Sequence, residues 1–81
     1  MGKVIISVRI VPEDQNELEK IKKEIVEKIK PEKIYEEDFV FGLKALKFEK
    51  IIDENGFNEF EQMLSNIYKN YEIEKITRVF I

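Results

Sequence analysis

The chain has no cysteine, no histidine and no tryptophan, and only three glycines and two prolines among its 81 residues. Without cysteine there is no disulfide staple and no thiol nucleophile. Without histidine as well, the usual zinc ligand sets and the imidazole general base are gone. Three glycines cannot build a G-x-x-x-x-G-K or G-x-G-x-x-G phosphate loop, and neither pattern occurs. Basic excess is missing too. Seventeen acidic residues stand against 14 basic ones, a net charge of −3, whereas a chain that grips nucleic-acid phosphates shows the opposite balance. No apolar run approaches the roughly 20 residues that span a bilayer, and Met1-Gly2-Lys3 leads directly into a strand pattern rather than a signal peptide. These features predict a soluble, cytoplasmic protein of one domain, residues 1–81.

What is present is a compact alternation of elements. Val4 to Val11 is β-branched, with Val4, Ile6, Val8 and Ile10 on an apolar side and Ile5, Ser7, Arg9 and Val11 on a mixed one. After Pro12, the run Asp14-Gln15-Asn16-Glu17 resembles a capping box. Leu18, Ile21, Ile25 and Ile29 then recur at helical spacing, with Val26 widening the stripe. Glu19–Lys23 and Glu24–Lys28 are candidate i,i+4 pairs on the outer face, and Pro31 closes the helix. A short strand is predicted over Lys33 to Glu37 and a longer one from about Leu43 to Ile52. Lys44, Leu46 and Phe48 share one face of the longer strand; Leu43, Ala45, Lys47 and Glu49 share the other. Its alternation breaks at Lys50-Ile51-Ile52, which predicts a bulge or burial on both faces. Asp53-Glu54-Asn55-Gly56 reads as a turn. A second helix follows from about Phe57 to Asn70, carrying Phe57, Phe60, Leu64, Ile67, Tyr68 and Tyr71. Glu72 to Ile81 is the last strand; Ile76 and Phe80 alternate with Lys75, Thr77, Val79 and Ile81, which leaves its faces undecided. The order β-α-β-β-α-β predicts an α+β sandwich: a four-stranded antiparallel sheet with two helices on one face and the other face partly open.

The residues carry little reaction chemistry. Glu36-Glu37-Asp38 and Asp53-Glu54 have no calcium-loop spacing, so no metal is expected, and no nucleophile or oxyanion arrangement accompanies the carboxylates. No cofactor and no enzymatic activity are expected. An RNA-binding sheet of this topology stacks bases on aromatics of the first and third strands. The open-face positions there, Ile5, Ser7, Arg9, Val11, Ala45, Lys47 and Glu49, include none.

One stretch is unusual for a core strand: Phe39-Val40-Phe41-Gly42-Leu43-Lys44-Ala45-Leu46 sets two aromatics beside a glycine at a loop-to-strand junction. Such a turn can hold a ring out toward a partner, because glycine accepts backbone angles that other residues resist. On residue chemistry alone the plainer reading is that Phe39 and Phe41 close one end of the core, since most aromatics in small domains are packing.

Val4–Val11 leading into Pro12-Glu13-Asp14, then Lys33-Ile34 through Glu36-Glu37, then Phe41-Gly42-Leu43-Lys44-Ala45-Leu46 resemble, in that order, translation elongation factor 1 beta in its short archaeal form. The resemblance implies a ferredoxin-like fold and guanine-nucleotide exchange on the GTPase elongation factor 1 alpha, by a protein that is a monomer when free and contacts neither nucleic acid nor membrane. It implies that Phe41 is the loop aromatic that enters an apolar pocket of the GTPase, that Gly42 lets it do so, and that Leu43, Lys44 and Leu46 form the strand behind it; Phe39 joins Phe41, Gly42, Leu43 and Lys44 as a candidate partner-binding residue. Asp38 stands where the family usually has proline. The family also tends to end in a basic residue, whereas this chain ends Thr77-Arg78-Val79-Phe80-Ile81, which makes Arg78 the basic candidate. The alternative is a regulatory or ligand-binding module that works through its open sheet face. A small hydrolase is the third reading.

Overall fold

A computed structural model describes residues 2–79 of the chain. The strands are β1 (Lys3–Ile10), β2 (Lys33–Asp38), β3 (Lys44–Asp53) and β4 (Tyr71–Val79); the helices are α1 (Leu18–Lys28) and α2 (Phe57–Ile67). The sheet order is β2-β3-β1-β4 with every neighbouring pair antiparallel. This is the ferredoxin-like α+β sandwich. The apolar side of β1, Val4, Ile6, Val8 and Ile10, is buried together with Leu46 and Phe48 of β3. Leu18, Ile21, Ile25 and Ile29 from α1 and its C-terminal end, with Phe60 and Leu64 from α2, complete one cluster, so both helices cover the same sheet face. Phe48 and Phe60 meet across that interface with ring centroids 6.4 Å apart and planes tilted by 57°, a favourable aromatic geometry. Among the described residues no helix is long and apolar enough to cross a membrane.

The start of α1 is anchored by Asp14, whose carboxylate accepts from the Asn16 N–H at 2.9 Å, and a single tight turn over Gln15–Glu17 precedes the helix. Val26 does not widen the buried stripe; it is 46% exposed. It lies one position past Ile25, far enough round the helix to face away from the sheet. The expected Glu19–Lys23 and Glu24–Lys28 pairs are not among the ion pairs of the described residues. Lys22 instead reaches from the helix to Glu36 of β2, 3.4 Å away.

Of the two alternatives for Lys50-Ile51-Ile52, the bulge is absent and partial burial on both faces is present: all three residues are half-buried, and the register shift of the sheet lies in β4. β1 and β3 stay in register from Lys3↔Asp53 to Ile10↔Leu46 without a break. Lys50 keeps the alternation: on the helix side of the sheet its amine passes the end of α1 and donates to the Lys30 carbonyl at 3.1 Å. β4, by contrast, shifts register between Ser7↔Lys75 and Val8↔Ile73, which leaves Glu74 as an extra residue. That bulge explains the undecided faces. Tyr71 and Ile73 lie opposite the buried Ile10 and Val8, and after the inserted residue Ile76 and Arg78 lie opposite Ile6 and Val4. Phe80 and Ile81 lie outside the described residues.

Helix α2 stops at Ile67, three residues short of the predicted Asn70, so Tyr68 and Tyr71 are not helical. Each hydroxyl has a partner that accounts for the departure. Tyr68 is extended, and its hydroxyl accepts from the Glu13 N–H at 3.0 Å. Tyr71 begins β4 and donates to Glu61 at 2.9 Å.

Candidate functional site

Phe41 sits at the tip of the β2–β3 loop and is 96% exposed, while the neighbouring Val40 is 56% exposed. Phe41 therefore does not close the core. Its backbone is left-handed (φ 58°, ψ 34°), and Gly42 follows at φ 72°. A left-handed conformation costs an L-residue roughly 1–2 kcal/mol. The loop thus holds an apolar ring in water on a strained backbone, a combination that contributes nothing to folding. A Cβ placed on Gly42 would meet nothing within 4 Å, so glycine is required there by backbone angle and not by space.

The loop is short and tied at several points. The Phe39 N–H donates to the Leu43 carbonyl at 2.7 Å, and the Leu43 N–H donates to the Val40 carbonyl at 3.2 Å. At its base Asp38 and Lys44 are cross-strand partners whose side chains meet at 3.0 Å. That hydrogen bond, together with the Asp38 charge, raises the Lys44 pKa. Asp38 is thus a brace across the neck of the loop. Phe39 is half-buried on the sheet face opposite the helices, where the Arg9 guanidinium lies 5.2 Å from its ring centroid. Gln15, in the turn before α1, reaches the base from the other side: its amide accepts from the Lys44 N–H at 2.8 Å and donates to the Lys44 carbonyl at 3.2 Å.

The other acidic residues of the loop approach are also engaged. Glu36 pairs with Lys22, and Glu37 pairs with Lys47 at 3.1 Å. The bulged Glu74 meets Lys47 at 3.1 Å and Arg9 at 3.7 Å, and Arg9 also pairs with Glu72. Hydrogen bonds that the Lys47 amine donates, first to Glu74 and then to Glu37, raise its pKa. The loop end of the open sheet face accordingly carries a network of paired charges, while Ile5, Ile51 and Tyr35 lie farther along the same face. Among the described residues no group of three or more metal-ligating side chains is present.

Of the residues singled out in the sequence, Phe39, Phe41, Gly42, Leu43 and Lys44 form one continuous loop and strand start. Arg78 does not join them. It lies opposite Val4 near the other end of the sheet, 3.8 Å from Glu54. Val4 is six residues from Ile10 along β1, and at about 3.3 Å per residue this sets Arg78 on the order of 20 Å from the loop end. Sequence reasoning gave the flexible angle to Gly42 and missed that Phe41 shares it. It also missed Gln15, although Pro12 was the available signal: a strand that ends in a residue with no N–H leaves its neighbour short of a donor.

No family model matches the chain, and no curated protein matches it.

Proposed function

We propose that this protein is a guanine-nucleotide exchange factor that promotes GDP release from translation elongation factor 1 alpha. The observation that carries the proposal is the fully exposed Phe41 ring, held on a left-handed backbone by a braced loop. A protein has no folding reason to keep such a residue, and a docking reason accounts for it. The resemblance of Phe41-Gly42-Leu43-Lys44-Ala45-Leu46 to the corresponding stretch of elongation factor 1 beta supplies the identity of the partner.

The mechanism needs no reactive group on this chain. A GTPase of this type holds GDP chiefly through its phosphates and the bound Mg²⁺. A partner that inserts a ring into an apolar pocket of the nucleotide domain and disturbs those contacts weakens the hold. By linkage, nucleotide weakens the partner's grip by the same factor, so the nucleotide-free GTPase binds best. Arg78, more than half exposed at the opposite end of the sheet, is the candidate for a second, polar contact. At the loop end of the open sheet face Arg9 and Lys47 are engaged in four carboxylate contacts, which does not favour the regulatory-module reading there. The test is direct. Elongation factor 1 alpha is loaded with fluorescent GDP and release is timed with and without this protein. Acceleration is expected, and a release time equal to that in buffer sinks the proposal.

A further inference from the structure

The ladder between β1 and β3 ends at Ile10↔Leu46. Continued by two residues, that register sets Pro12 opposite Lys44. Proline has no N–H, so β1 cannot supply the donor that the Lys44 carbonyl would take in a regular ladder. Pro12 is also fully buried and cannot turn aside. The Gln15 side chain fills the position. Its carbonyl oxygen accepts from the Lys44 N–H at 2.8 Å, and its amide nitrogen donates to the Lys44 carbonyl at 3.2 Å. The same nitrogen lies 3.3 Å from the Pro12 carbonyl, which ties the substitute strand to the real one. A primary amide has the donor and acceptor of a peptide group side by side, so it reproduces both bonds of a ladder pair.

Lys44 is the residue from which the Phe41 loop springs, and its other side is held by Asp38. We propose that Gln15 is the positioning residue of the docking loop: it completes the sheet at Lys44 and thereby fixes the direction in which Phe41 is presented. The proposal rests on the exchange-factor reading for its consequence, but not for its geometry. Without Gln15 the base of the loop is held from β2 alone, and the partner must order it on binding, which weakens association without altering the bound complex.

Gln15→Met keeps the length of the side chain and removes both hydrogen-bonding groups. Two measurements on the purified protein decide the matter. In the free protein, amide hydrogen exchange at Lys44 is expected to accelerate at least tenfold in Q15M, while core amides such as Ile6 and Phe48 stay protected. Unchanged protection at Lys44 overturns the proposal. In the GDP-release assay, Q15M is expected to raise the half-saturating concentration about threefold to thirtyfold, the range for loss of one or two hydrogen bonds, and to leave the saturating rate unchanged. In a Phe41→Ala background the same substitution is expected to add little, because Gln15 acts through Phe41. A full additive loss in that background marks a general structural role and overturns the proposal. If the unmodified protein fails to speed GDP release while Lys44 loses protection in Q15M, the strut stands and the exchange-factor reading falls.

Discussion

On the exchange-factor proposal, Phe41→Ala should separate docking from folding, because the ring is 96% exposed and buries almost nothing in the free protein. Alanine keeps the Cβ and therefore the left-handed strain, so neither packing nor backbone energy changes on substitution. The expected change in folding stability is within about 0.5 kcal/mol, or roughly 2–4 °C in melting temperature for a domain of this size. If the proposed exchange activity holds, the effect expected on it is large by the same reasoning. A phenylalanine ring removes about 150–250 Å² from water when it enters a pocket, and at ~25 cal/mol per Å² that amounts to about 4–6 kcal/mol as a ceiling. Ordering the side chain costs back ~0.5–1.5 kcal/mol, and alanine retains part of the contact. A loss of about 2–4 kcal/mol remains, the range of a central interface residue. In the second-order rate of GDP release this is about 30-fold to about 900-fold.

The internal control is Phe48→Ala, the same substitution at a residue that is 1% exposed. There the expected loss is ~3–5 kcal/mol of folding stability, much of the ~4–12 kcal/mol available to an 81-residue chain. Thermal melts and the fluorescent-GDP assay on the two variants should therefore give opposite patterns. A Phe41→Ala protein that melts many degrees lower, or that releases GDP within twofold of the unmodified rate, refutes the reasoning.

Gly42→Ala places a Cβ in open space but at φ 72°, so it should cost about 1–2 kcal/mol of stability; an unchanged urea midpoint would show that the loop readily adopts other angles. Arg78→Gln should slow GDP release with little change in melting temperature, because its contact with Glu54 is long and exposed; equal release rates remove Arg78 from the site. Lys47 has its pKa raised by Glu74 first and Glu37 second. A raised folded-state pKa contributes stability that is fully present below the unfolded value, about 10.4, and is lost as pH rises through the folded value. Urea midpoints from pH 8 to pH 11.5 should therefore fall more steeply for the unmodified protein than for Lys47→Met, and parallel curves would contradict this assignment.

The core was legible in the sequence because it obeys simple periods. Val4, Ile6, Val8 and Ile10 alternate, and Leu18, Ile21, Ile25 and Ile29 recur every three or four residues; all are buried. β4 was not legible, because one inserted residue resets the phase of every side chain after it. Ile73 and Ile76 fall on the same face only with Glu74 bulged, and nothing local in Ile73-Glu74-Lys75-Ile76 announces that. In β3 the reverse error arose: a lysine at position 50 reads as a break in an apolar face, yet its stem follows that face while its amine reaches the end of α1. The loop was half legible. Glycine flagged a backbone angle, but the side-chain ties at the base of the loop come from Gln15 and Asp38, and the first of these crosses 29 residues of sequence.

The acidic run before the loop shows how folding reassigns charge. Read in sequence, Glu36-Glu37-Asp38 is a local excess of negative charge that invites a cation or repels a phosphate. In the fold the alternation of the strand sends the three carboxylates to different places. Glu36 goes to Lys22 on the helix side, Glu37 to Lys47 on the open face, and Asp38 to Lys44 at the neck of the loop. Surface pairs of this kind contribute little to stability singly; their effect here is directional. They fix the end of β2 on both faces just before the chain leaves the sheet, while Gln15 fixes the start of β3 just after it returns. A five-residue connection between two ends so held, with left-handed residues at its tip, has little freedom left in where it points. Rigid presentation of one ring is therefore built from charged and polar side chains, and the apolar core beneath remains independent of it.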